Sequence, residues 1–487
     1  GISVIATYVS ALSFLGGPAW AYDSGLAVMA IHLNYPLVIV LVITFFLPFF
    51  YNSGVASIYD YQERRFGPTA RSVISIIFLL SQALTSAAVL YATALVLEFI
   101  TGIDVVYAIL IVSAVALAYT ALGGITAVIW TDVIQAGILL VGAIIIFFAL
   151  LENLPGSLHE TLLALKAEGK INPLNLSLDF SREATLWSGV VAMVLFHVTV
   201  YGANQMMVQR TLAAKTIGDA KKSYLMMGFG AFFIYFLFLF MGVLFYAYYQ
   251  GRPFDNANTI ILSFAADYGM PGLMGIIASA VVAASMSSLD SAFNSLATIS
   301  TIDFYQRYFR KHETAAHYLK ASRLFTVLWA VAIVGPAIAY SYSEGSILQT
   351  LSKIGAYFVG AKLSMYALGF FSKHTTERGL LVGVAAGFVT IWIVATQTDI
   401  AWPWYCAIGA AVNMAVSLAA SLALDGRQAD YSPYSIKGQL AAARREGRIA
   451  TQDGWQVLPG RIDRASYWLL AFFVATLAFL WSLERLI

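Results

Sequence analysis

The chain has 487 residues, 60% hydrophobic and 11% charged, with a formal net charge of +2 and a mean hydropathy of +0.77. That composition excludes a large soluble core and places the chain in a lipid bilayer. Its single cysteine, Cys406, excludes a disulfide framework and a thiolate metal centre.

In chain order, apolar stretches long enough to cross about 30 Å of hydrocarbon fall at 1–25, 27–50, 70–100, 104–122, 127–151, 185–211, 222–250, 271–301, 320–342, 346–372, 378–398, 402–424 and 465–486. They are too long and too uniformly apolar for barrel strands, so thirteen spanning helices are expected. The chain opens at Gly1, inside what already reads as helix, and a further N-terminal segment, long enough to include a span, is expected ahead of it.

Lysine and arginine set the orientation. Loops after the even-numbered spans carry Arg64, Arg65, Arg71, Arg210, Lys221, Arg307, Arg310, Lys320, Arg378 and the basic run from Arg427 to Arg464, whereas the opposite side holds only Lys166, Lys170, Arg182, Arg252 and Arg485. The basic side is the cytoplasm. Loops 152–184 and 251–270 then face outward, and 425–464 is expected as a solvated cytoplasmic linker.

Two spans carry polar or glycine-rich interruptions at corresponding places. The first has Thr7, Tyr8, Ser10 and Ser13 before Gly16-Gly17-Pro18; the sixth has His197, Thr199, Tyr201-Gly202 and Asn204-Gln205. Broken helices in matching positions of two five-helix halves point to an inverted-repeat secondary transporter with a midplane site. Five helices per half oblige the halves to have opposite topology.

The eighth span contains Ala283 to Ser295, a run of hydroxyls with Asp290 among them. Helical spacing puts Ala284, Ser287, Ser288 and Ser291 on one face, with Asp290 beside Ser287. Small residues and serines also line ordinary helix contacts in membranes; the carboxylate turns the balance toward a cation site, since a charged aspartate at mid-membrane costs about 2.5–3.5 kcal/mol. Asp132, in the fifth span, is either an acid stabilised by a helix N-terminus or a further oxygen ligand. Such hard donors suit alkali or alkaline-earth ions.

His32 and His197 lie inside spans, either as inter-helix hydrogen-bonders or as the polar wall of a solute pocket with Ser10, Ser13 and Tyr201. Lys353 and Lys362, in the tenth span, either snorkel and pair with acids or meet a solute carboxylate. Enzyme motifs are missing: no zinc-binding His-Glu pattern, phosphate loop or nucleophile elbow occurs. Topology accounts for the basic loops, so nucleic acid is not expected as a partner.

Three runs resemble the sodium/solute symporter family: Gly123-Gly124-Ile125 through Trp130-Thr131-Asp132-Val133-Ile134-Gln135; Val208 to Lys215; and Met286-Ser287-Ser288-Leu289-Asp290-Ser291 with Asn294-Ser295. The resemblance covers essentially the whole chain. It implies an all-α membrane protein of the leucine-transporter type: a first repeat at 1–151, an extracellular loop at 152–184, a second repeat at 185–372, two additional helices at 373–424, the linker at 425–464 and a last helix at 465–487. It implies one or two Na+ as coupling ions. One site would use the carbonyls of Ala6, Val9 and Ala284 with the hydroxyls of Ser287 and Ser288; a second would use Asp132, Ser287, Asp290 and Ser291, although the sialic-acid branch resembles a serine at Asp290. Substrate positions carry over to His32, Thr85, His197 and Tyr201. The arginine that grips the sialic-acid carboxylate falls on Thr85, and the galactose carriers' gating tyrosine falls on Val200, so neither specificity transfers. The expected function is Na+-coupled uptake of a small polar solute (sugar, carboxylate or related) across the cell membrane. A proton-coupled carrier and a transporter-like solute sensor are the alternatives.

Overall fold

The computed structural model describes residues 10–55, 57–122, 125–205, 207–208, 214–268, 271–428 and 430–487; the side chains at 119, 121, 122, 125–133, 135, 271 and 287 lie outside that description. Helices stand at each of the thirteen expected places. They are α1 (Ala11–Ser24), α2 (Leu26–Ser53, interrupted), the short α3 (Ile58–Arg65), α4 (Pro68–Thr101), α5 (Val105–Leu122), α6 (Ile125–Glu152), the outer α7 (Leu158–Ala167), α8 (Met193–Gly202), α9 (Ile217–Tyr248), the short α10 (Ile260–Asp267), α11 (Pro271–Ile299), α12 (Ala315–Ser341), α13 (Ile347–Phe371), α14 (Glu377–Gln397), α15 (Pro403–Asp425), the linker helix α16 (Ile436–Arg445) and α17 (Arg464–Leu486). Among the described residues, nine of these are long and apolar enough to span by themselves.

Packing divides the spans into two groups. α1, α2, α8 and α9 lie against one another, and α4, α5, α11 and α12 form the second group, with α13 touching both. In the five-plus-five scheme these are the first and second helices of each half against the third and fourth. α1 packs closely enough on its neighbours that side chains are excluded: a Cβ on Gly16 would sit 2.8 Å from Leu348, and one on Gly242 would sit 2.3 Å from the Pro18 carbonyl. Small residues allow such backbone approach where lipid supplies no hydrophobic drive between helices.

The expected interruption at Gly16-Gly17-Pro18 is corrected: α1 runs helically through all three residues. α1 starts at its N-cap Ser10, whose side chain accepts from Ser13 N while Ser10 N donates to Ser13 Oγ. This capping box fixes the start of α1. The sixth span is broken as expected, α8 ending at Gly202.

The linker is not a solvated tether. The Gln439 amide donates to Phe49 O, Asn52 Nδ2 to Val457 O, and Gly460 N to Thr44 O. Ile436, Ala443 and Leu458 are buried, and a two-residue hairpin, Thr451–Gln452 with Trp455–Gln456, leads to Asp463. Asp463 meets Lys221 of α9 at 2.5 Å with both side chains almost fully buried. One face of α16 is apolar because it docks on the cytoplasmic end of α2, and sequence pattern alone does not reveal that acceptor surface.

Candidate ion and solute site

α11 supplies the carboxylate and hydroxyls, packing on α4 and α6 and touching α1. Asp290 is only 6% exposed, and among the described residues its carboxylate meets one polar group, Asn294 Nδ2 at 3.1 Å. No lysine or arginine pairs with it among those residues. Ser288 is exposed and donates to Ala284 O at 3.0 Å; Ser291 is half-buried. Ser285 Oγ, one position from Ala284, is buried without a partner among the described residues. Ala6 and Val9 lie outside the described residues, as do the side chains of Asp132 and Ser287, whose backbones are helical.

The solute-facing expectations converge on a second cluster. His32 ends a short helix, Met29–His32, and the chain restarts at Tyr35–Leu41 after the turn Leu33–Asn34. The turn exposes Asn34 sideways, where its Nδ2 donates to Ile31 O at 2.8 Å and its Oδ1 lies 2.7 Å from His197 Nδ1. With the amide so oriented, His197 donates through Nδ1, and its neutral ring keeps Nε2 as an acceptor. Tyr35 stacks on His197 at 4.7 Å and lies edge-on to Tyr201 at 5.7 Å, while His32 stacks on Tyr235 at 3.8 Å. The His32 and His197 ring centroids are 6.3 Å apart. His32 Nε2 is buried with no partner among the described residues, which is costly unless a ligand or water completes it.

Ser10 and Ser13 spend hydroxyl contacts on capping α1. Thr85 donates to its own helix at Ser81 O. Lys353 pairs with Glu183 at 3.1 Å, whereas half-buried Lys362 pairs with no acid among the described residues; its Nζ donates to Ser81 Oγ at 2.8 Å. Thus Lys362 and Thr85 meet the same turn of α4, and the two histidines form a separate cluster. Asn34, Tyr35, Tyr235 and Ser81 were not anticipated. Asn34-Tyr35-Pro36 is the overlooked signal, because a proline two residues after asparagine marks a helix restart.

A helix begun by a capping box at Ser10, a break after Gly202, a buried carboxylate with no basic partner among the described residues and a histidine-aromatic cluster within the α1, α2, α8 and α9 group define a helical membrane transporter of the leucine-transporter type. The sodium:solute symporter family model matches residues 1–387, and the chain belongs to that family, whose members are transporters, not enzymes. It is a multi-pass protein of the cell membrane. The sodium/sialic acid symporter NanT of Aliivibrio fischeri is 30% identical over 415 residues, covering 84% of this chain and 82% of that protein. Human sodium-coupled monocarboxylate transporter 1 is 29% identical over 405 residues, covering 80% of this chain. The chain matches 65% of the length of that human relative. A substrate-bound, outward-open Na+-coupled sialic acid symporter superposes with a TM-score of 0.76 at 26% identity, covering 88% of this chain and 90% of that one. The inward-facing Mhp1 structure, 14% identical, has a TM-score of 0.57 over 93% of this chain and 94% of its own and bears on the fold alone.

Proposed function

We propose that this protein is a Na+-coupled symporter that moves a small polar organic solute into the cell by alternating access. The observation that carries the reading is Asp290: a buried carboxylate in a serine-rich helix, with no basic partner among the described residues. Desolvation makes such an acid unfavourable until a cation joins it, so ion occupancy biases the conformational equilibrium. Ala6, Val9, Ala284, Ser287 and Ser288 would hold one Na+, and Asp132, Ser287, Asp290 and Ser291 a second. Na+ crossing the membrane field carries about 2.3 kcal/mol per 100 mV, enough to drive solute uphill.

The solute would lie against His32, His197 and Tyr201. The orphan His32 Nε2 and the acceptor on His197 Nε2 suit a solute carrying both hydroxyl donors and acceptors. Na+ and solute would stabilise each other's bound state by the same coupling free energy. The division into repeats at 1–151 and 185–372 belongs to this proposal. Thermal unfolding of the purified protein tests it: Na+ should stabilise relative to K+, and a transported solute should stabilise more in Na+ than in K+. Equal stability in the two salts would remove the sodium assignment.

A further inference from the structure

Several basic residues of the spans have acid partners among the described residues. Arg71 meets Asp303 at 2.6 Å and Glu63 at 2.8 Å, Lys221 meets Asp463 at 2.5 Å, and Lys353 meets Glu183 at 3.1 Å. Half-buried Lys362 differs: among the described residues its only polar contact is the neutral hydroxyl of Ser81. It stands nine residues before Phe371, the end of α13, about 13 Å along the axis at 1.5 Å per residue. A charge at that depth, without a counter-ion, is expensive.

Lys362 also lines a small cleft. Ile58, Tyr59, Ile74 and Phe78 form its cytoplasmic-side walls, and Thr199, Asn204 and Gln205 form the side belonging to the broken sixth span. Its volume is about 60 Å³, room for two waters or one carboxylate group at roughly 30 Å³ per water. Thr199 lies two residues beyond His197 in α8, so the cleft lies on the cytoplasmic side of the histidine cluster along the same broken span, on another face of α8. The walls are otherwise apolar or neutral, so an anion entering the cleft would find one cation and an uncompensated field.

We infer that Lys362 is an anion-binding group on the inward half of the transport path, and that the solute is a small organic carboxylate whose negative charge it meets before release to the cytoplasm. The inference rests on the symporter reading and narrows its solute class. Ser81 holds the ammonium in place from α4 while leaving its other N–H donors for the carboxylate. Because α4 and α13 carry the two halves of this contact, the site changes shape when those helices move relative to one another.

The test uses the full chain purified in lipid nanodiscs, with L-lactate and pyruvate as probes and their amides, lactamide and pyruvamide, as neutral counterparts. Thermal unfolding is followed in NaCl and in KCl. In NaCl the wild type should be stabilised by at least one acid and by neither amide. Lys362→Gln should keep the Na+ over K+ difference yet bind the acid about 10- to 100-fold more weakly, the range of a lost charge-assisted hydrogen bond; Lys362→Arg should recover most of that loss. An unchanged acid titration in Lys362→Gln, amides as effective as acids, or no stabilisation of the wild type by either acid would overturn the inference. Loss of the Na+ over K+ difference in the wild type would instead count against the symporter reading. A symmetric elution profile for Lys362→Gln, matching Lys362→Arg, separates a binding defect from misfolding.

Discussion

Asp463→Leu should release the cytoplasmic segment from the spans. Asp463 is 1% exposed and Lys221 0%; Lys221 also donates to Gln456 O at 2.7 Å, and Asp463 Oδ1 accepts from Gln456 N at 2.7 Å. Removing the acid leaves a buried ammonium facing one carbonyl and strips an acceptor from a backbone N–H. Breaking a buried pair from one side costs about 3–5 kcal/mol. That cost falls on the local docking equilibrium of 455–463, because Gly460 N and Gln456 N have their partners there. Hydrogen exchange of those amides should accelerate by about 10² to 5 × 10³, with protection in α9 beyond its first turns unchanged. The double substitution Lys221→Met with Asp463→Leu removes both charges and should recover most of the protection. Unaltered exchange at Gly460 in the single variant would refute the claim that this pair docks the segment.

Gly16→Ala forces a Cβ to 2.8 Å from Leu348 backbone and side chain; overpacking of this kind should cost about 1–3 kcal/mol, read as a lowered unfolding midpoint. Glu63 is held down to about 2 from 4.5, chiefly by its hydrogen bond to Arg307, against the opposing effect of burial. A depressed acid stabilises above its unfolded value and loses that contribution as pH falls toward the folded one, so Glu63 should leave stability flat from pH 7 to 5 and erode it between about 4.5 and 2; Glu63→Gln should remove that segment of the acid profile. Asp290→Asn should alter the steepness of Na+ dependence without collapsing the fold, since its one described partner, Asn294, is an amide; a Na+ titration by thermal shift checks this.

The thirteen spans were legible because hydrocarbon imposes a length and a composition that no tertiary contact overrides. The burial of Asp290 was legible for the same reason, a carboxylate in an apolar run being an anomaly in one dimension. Long-range matching was not. Ser81 is an ordinary serine until Lys362, 281 positions away, reaches it, and α16 reads as a solvated amphipathic helix until Phe49 O offers an acceptor. Lys353 and Lys362 look alike in sequence; only the fold brings Glu183 to the first and withholds an acid, among the described residues, from the second. The break at Leu33–Asn34 was available from Pro36 but was masked by the strong apolar character of the residues around it.

The most direct test of the central claim is uptake into proteoliposomes under separate ion gradients, with lactate, galactose and N-acetylneuraminate as labelled solutes. An inward Na+ gradient should concentrate at least one of them above equilibrium, a pH gradient without Na+ should not, and Ser287→Ala should abolish the Na+-driven accumulation. Accumulation driven by pH alone, or by Na+ with undiminished dependence in Ser287→Ala, would contradict the account.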